Sequence, residues 1–208
     1  MGPELWLAFV AASIALLAIP GPTVILVVSY SLNHGKASGW STVPGVVLGD
    51  FTAMTVSLLG ASAVLAASAA LFTAVKLAGA AYLIYLAVKL WRADPAPVAE
   101  AAAPKAKQGR GIFWHAFLVT ALNPKGIVFF VAFVPQFIEP AAPAFAQFAV
   151  LEATFLALAA AYVALWAVLA GELRSRLSRP NTLRFLNRTG ASFLAGAGIL
   201  TASIRHQT

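Results

Sequence analysis

No cysteine occurs in the 208 residues, which excludes disulfide bridges, thiol redox chemistry and thiolate metal sites. Charge is nearly as scarce, since only 10% of the residues are Asp, Glu, Lys or Arg. Acids are the rarer sign, 7 against 14 Lys and Arg, for a net charge of +7. The scarcity is also uneven. Asp50 is the only charge between Ala37 and Val75, and Glu139 and Glu152 are the only two between Gly126 and Gly171. Stretches of that kind cannot clothe a water-soluble domain. No P-loop or dinucleotide fingerprint is present, so an ATP-driven pump is not expected from this chain alone. His34 and His115 stand isolated, without metal-ligand spacing, and no metal site or cofactor is implied. No Lys or Arg precedes the apolar run that opens at Leu5, so a cleaved signal peptide is not expected.

What the chain does have is apolar length. It is 61% hydrophobic, with a mean hydropathy of +0.85. A bilayer core about 30 Å thick asks for runs of ~20 apolar residues. Such runs lie near Leu5–Val28, Thr42–Ala67, Ala70–Trp91, Ile112–Ile138, Ala144–Ala170 and Thr189–Ile204. Hydrocarbon offers no partner to a backbone N–H or C=O, so each span is expected to be helical. The fold class is therefore an all-α membrane protein with six transmembrane helices. Pro20-Gly21-Pro22 interrupts the first span and Asn123-Pro124 the fourth, while the boundary between the second and third, around Ser68, is soft.

Basic residues set the orientation, because cytoplasmic loops carry the excess of Lys and Arg. Lys36 follows span one; Arg92, Lys105, Lys107 and Arg110 follow span three; Arg174, Arg176, Arg179, Arg184 and Arg188 follow span five. Both termini are then expected outside a plasma (inner) membrane, with Glu4 and Glu139 on the outer side. The bilayer is the first partner, and the positive charge needs no nucleic acid to explain it. Trp6, Trp40, Trp91 and Trp114 fall near span ends as an aromatic belt, and Lys76, Lys89 and Arg92 as side chains snorkelling to headgroups.

The two halves of the chain echo each other. One spacing separates both Pro22 from Pro124 and Asp50 from Glu152, and Gly79–Leu83 resembles Gly190–Leu194 at a slightly wider one. Three helices per half bring the second half into the membrane from the opposite side, as two inverted three-helix repeats. The expected organisation is a first repeat over 1–92, a cytoplasmic linker over 93–111 and a second repeat over 112–208. Gly190, Gly196 and Gly198, with Ala191 and Ala195, give span six a small-residue face for packing within the chain or in a homodimer.

Asp50 and Glu152 are the sharpest chemical signal. Each sits ~8 residues, or ~12 Å, into its span, and the two spans start from opposite faces. An acid near the bilayer midplane is costly, so it faces a cavity, has a partner or holds a proton. Both are candidates for proton coupling; a structural, permanently protonated carboxyl is the alternative. Pro20-Gly21-Pro22 removes two backbone donors and opens the first helix, and Asn123-Pro124 opens the fourth. Opened turns present free carbonyls and helix-end N–H groups, which suit an ammonium and a carboxylate respectively. Pro20, Gly21, Pro22, Asn123, Pro124 and Lys125 are therefore the candidate substrate-binding residues, with Lys125 open to either a substrate role or snorkelling.

Several of these stretches resemble the LysE/RhtB family of exporters. They are Ile19-Pro20-Gly21-Pro22-Thr23, Asn33-His34-Gly35-Lys36-Ala37-Ser38-Gly39, Gly45–Asp50, Lys76–Leu83, Leu122-Asn123-Pro124-Lys125 and Phe133-Val134-Pro135-Gln136-Phe137. The resemblance spans nearly the whole chain and implies a transporter, not an enzyme, that exports amino acids or close derivatives, coupled to the proton gradient. An exporter of another metabolite or a cation, or a non-transporting scaffold, would be the alternatives. Against a metal cation stand the absence of cysteine and the presence of only two deep carboxylates.

Overall fold

In the computed structural model, residues 1–19, 21–93, 109–139, 142–177 and 180–203 are described, and every regular element among them is helical. Pro20, most of the expected linker (94–108) and Arg179 lie outside the described residues. In chain order the helices are α1 (Pro3–Ala18), α2 (Pro22–His34), the short α3 (Lys36–Trp40), α4 (Val43–Ala67), α5 (Ala69–Arg92), α6 (Arg110–Ala121), α7 (Pro124–Val128), α8 (Ala144–Leu177) and α9 (Pro180–Ser203). A wide π turn, Phe129–Phe133, and a 3-10 turn, Val134–Phe137, carry on from α7.

Proline decides where many of these helices start. It occupies one of the first two positions of α1, α2, α4 and α7. The N–H it lacks has no intrahelical acceptor there, so nothing is lost. Pro22 and Pro124 therefore begin new helices and do not merely kink old ones. α1 and α2 meet at 55°, α6 and the α7 segment at 42°, and each bent pair together is long and apolar enough to cross a membrane. Three single stretches are as well: Lys36–Val64, Thr73–Arg92 and Ala144–Ala170. α9, with Asn181, Arg184, Asn187 and Arg188 in its first half, does not reach that hydropathy. Ser68 sharpens the boundary expected to be soft, since its side chain caps α5 by accepting from the Leu71 N–H at 3.2 Å.

Many large apolar side chains point outward, among them Val56, Leu59, Leu118, Leu122 and Ile199. Such a surface suits a lipid solvent, as a membrane protein requires, and would be a liability in water. Trp40, Trp91 and Trp114 are likewise exposed, whereas Lys76, expected to snorkel outward, is buried at 5%.

Lipid tails give helices no hydrophobic reason to associate, so close packing must do it. Gly45 and Gly49 bring α4 against Phe113 and Ala116, then Phe117 and Thr120, so α4 and α6 run parallel. A side chain at Gly45 would collide with the Phe113 carbonyl. α8 lies antiparallel to α3 and α4, with Ala167 near Gly39 and Glu152 bonded to Thr55. It runs parallel to α1 and α2, with Thr154 on Trp6 and Ala170 among Val24 and Val28. α9 is antiparallel to α5: Gly198 rests on Ala80 and Ile84, and Gly190 on Leu90 and Ile19. The small-residue face of α9 is thus used largely within the chain.

Two cores result. One is aromatic, built from Phe9, Phe129, Phe130, Phe133, Phe137 and Phe155 with Met54 and Leu58. The other gathers Leu26, Val27, Tyr30, Val46, Ile112 and Val163. Between them the packing is interrupted by a cavity whose walls include Leu16 and Phe155 from the first core and Val46 and Val163 from the second.

Candidate functional site

The site is made by two helix breaks that face each other. At the first, α1 ends at Ala18 and α2 begins at Pro22, with Gly21 at its N-cap in an extended conformation, φ −136°. That conformation is open to any residue, and a single Cβ would fit; only a longer side chain would compete for space. A Cβ on Gly21 would already touch Lys125, 3.5 Å from Nζ and 3.6 Å from Cε. At the second break, α6 ends at Ala121 and the Asn123 side chain starts α7 by accepting from the Lys125 N–H at 3.1 Å. That cap fixes the first turn of α7 and sends the Lys125 side chain across to the first break.

There Lys125 Nζ donates to two backbone carbonyls, Leu16 O at 2.9 Å and Ile19 O at 3.0 Å. In an uninterrupted helix the Leu16 carbonyl would accept from residue 20, but Pro20 has no N–H to give. The Ile19 N–H reaches Leu16 O at 3.3 Å in its place, the lysine ammonium adds a second, shorter bond, and a cation at a helix C-terminus is favoured by the helix dipole. The half-buried Lys125 side chain is therefore turned toward the first break.

The cavity is small, about 40 Å³, and lined by Gly21, Thr23, Asp50, Asn123, Lys125 and Tyr162 among apolar neighbours. Asp50 comes from the first half of α4 and lines the cavity together with Lys125. Of the residues singled out from sequence, Gly21, Asp50, Asn123 and Lys125 are thus brought to one place. Pro22 and Pro124 are exposed at the starts of their helices and do not line it. Glu152 is set apart as well: its Oε1 accepts from the Thr55 hydroxyl at 2.6 Å, between α4 and α8.

Sequence reasoning missed three contributors. Thr23 lines the cavity and shares a 3.2 Å hydroxyl–hydroxyl hydrogen bond with Thr120, joining the two broken helices directly. Its position next to Pro22 was the available signal. Tyr162 enters from α8 at a helical spacing shared by many apolar neighbours, which gave no signal. On the far side of the second core, the Tyr30 hydroxyl and His115 Nδ1 share a 3.0 Å hydrogen bond between α2 and α6.

Comparisons with known proteins bear on the family of the chain. The family described as LysE type translocator matches residues 14–203. An uncharacterized membrane protein of Vibrio cholerae is 30% identical over 99% of this chain and 100% of its own length. The homoserine/homoserine lactone efflux protein of Salmonella typhimurium is 32% identical over 98% of each chain. A leucine efflux protein of Salmonella choleraesuis is 31% identical over 65% of this chain and 64% of its own. No solved structure matches. The chain belongs to the LysE family of translocators, and is a transporter and not an enzyme.

Proposed function

We propose that this protein exports amino acids or close derivatives across the plasma membrane, coupled to protons, from a site between the two broken helices. The observation that carries this is the single cavity where Gly21, Asp50, Asn123 and Lys125 meet. It offers an acid, a base and opened helix ends, which together match both ends of a zwitterion. The relatives named above point to the same class. Homoserine, its lactone and leucine share an α-amino group, and the lactone has no free carboxylate, so the amine is their common handle.

The two cores on either side of the cavity would act as alternate closures, one opening while the other holds. Asp50 is the principal proton-coupling group in this proposal, since it faces the cavity, and Glu152 is its weaker counterpart. The helix directions support six spans in two inverted repeats over 1–92 and 112–208, joined by a cytoplasmic linker over 93–111. Exchange the halves, so that α1–α2 becomes α6–α7, α4 becomes α8 and α5 becomes α9. The parallel contact of α4 with α6 then becomes that of α8 with α1–α2, while the antiparallel pairs α4–α8 and α5–α9 map onto themselves. Helices related to themselves and antiparallel are what an inverted repeat requires.

The test is uptake of labelled homoserine and leucine into inverted vesicles. An imposed proton gradient, acid inside, should drive accumulation only in vesicles holding the protein. No uptake across a broad panel of amino acids would leave a scaffold as the better account, and uptake of another metabolite or cation would reassign the substrate.

A further inference from the structure

Two carbonyls and one ammonium meet at the end of α1: Leu16 O, Ile19 O and Lys125 Nζ, at 2.9 and 3.0 Å. Resting on the export function above, we propose that these carbonyls are the binding site for the substrate's α-ammonium group. In the conformation described, Lys125 occupies that site, and it gives it up when substrate binds.

Four observations lead there. The lysine head and an α-ammonium are the same functional group, a compact cation with three N–H donors and no acceptor. What holds one holds the other. The site is made of backbone at a helix C-terminus, so it selects charge and donors and is indifferent to the side chain of the molecule that brings them. The cavity around it, about 40 Å³, is little larger than the ~30 Å³ share of one water molecule, so an amino acid can enter only if something leaves. Lys125 is the flexible group within that space, its Nζ 3.5 Å from where a Cβ on Gly21 would lie. Finally, Asp50 lines the same cavity and places a carboxyl group where the displaced lysine could face it.

Exchange of one ammonium for another also explains how release can be made easy. A substrate that left nothing in its place would take a donor from each carbonyl; Leu16 O would keep the 3.3 Å bond from the Ile19 N–H, and a buried acceptor left without any donor costs about 1–3 kcal/mol. With Lys125 on a tether, the carbonyls are re-covered as the substrate departs. The same re-covering opposes rebinding on the side where the substrate was released.

Chemical rescue tests the site without any transport assay. Purified Lys125→Ala protein in detergent should melt below the parent. Ethylammonium chloride should raise its midpoint by about 3 °C, whereas tetramethylammonium, which has no N–H, should not, and the parent should respond alike to both. Equal responses of variant and parent, or none in the variant, would overturn the proposal. Lys125→Met keeps the length of the side chain and guards against a variant too unstable to purify. Its homoserine affinity should rise about tenfold, because the internal competitor is gone. A fall would put Lys125 on the substrate's carboxylate and sink the idea. Rescue by ethylammonium in a protein that binds neither homoserine nor leucine would leave the ammonium site standing and remove only the export function.

Discussion

Asp50 and Glu152 look equivalent in the sequence and are not equivalent in space. Asp50 opens onto the cavity beside Lys125, while Glu152 is engaged by the Thr55 hydroxyl between two helices. Asp50→Asn preserves size and much of the hydrogen bonding but removes the ionisable group. Gradient-driven accumulation should fall at least about tenfold, the cost of one lost coupling charge being of the order of 1.4 kcal/mol or more. Glu152→Gln should reduce it less. Export measured against pH in vesicles decides the matter: an Asp50→Asn protein that still concentrates substrate with the parent's pH profile makes the carboxyl structural. Gly21→Leu should be as harmful for a different reason. Atoms beyond Cβ would enter the space Lys125 holds, so transport should be lost while the protein still inserts and purifies. Normal transport by that variant would mean that the Lys125 contacts are dispensable. At this scale the sequence was legible wherever chemistry is costly, as in a lone acid in an apolar run or a proline pair inside a span. It announced free carbonyls at the first break but not their partner, because only the tertiary fold brings the Lys125 ammonium to Leu16 and Ile19.

The elements that matter are the two broken helices, and what keeps them broken differs. The second depends on a side chain, since Asn123 caps α7. Asn123→Ala should cost about 1 kcal/mol of stability and loosen Lys125, so both the melting midpoint and transport should drop. Unchanged transport in that variant would detach the cap from function. The first break depends on missing donors. Replacing Pro22 and Pro124 together by Ala restores two N–H groups, and it should impair export with insertion intact. Full activity would reduce the breaks to simple bends. Helix boundaries were legible where a residue forces them, as at Pro22 and Pro124. Hydropathy found the apolar stretch Ala144–Ala170, which is long enough to span, but not the full length of the helices that carry such stretches. α8 runs on to Leu177, beyond the apolar run ending near Ala170, and α9 starts at Pro180, well before Thr189. Arg and Leu propagate a helix as readily in water as in lipid, so the backbone does not stop where the bilayer does.

The whole molecule is asymmetric in charge, which predicts its orientation. A single cysteine at Gln108, in a chain that has none of its own, should react with an impermeant thiol reagent from the cytoplasmic side only. Labelling from outside would reverse the topology and with it the direction of the proposed cycle. The echo between halves was visible in equal spacings, yet spacing alone could not say how the halves meet. They meet broadly: α4 packs on α6 and α8, α5 packs on α9, and the contact of α4 with α5 is slight by comparison. This has a consequence for how the protein is made. A nascent chain that has emerged only as far as α5 has few of its final neighbours and must wait for the later helices. Chains cut short before α9 would bare one face of α5 to lipid, and cellular quality control should remove them. Segments 1–92 and 93–208 produced separately should each be short-lived, and should persist only when made in the same cell.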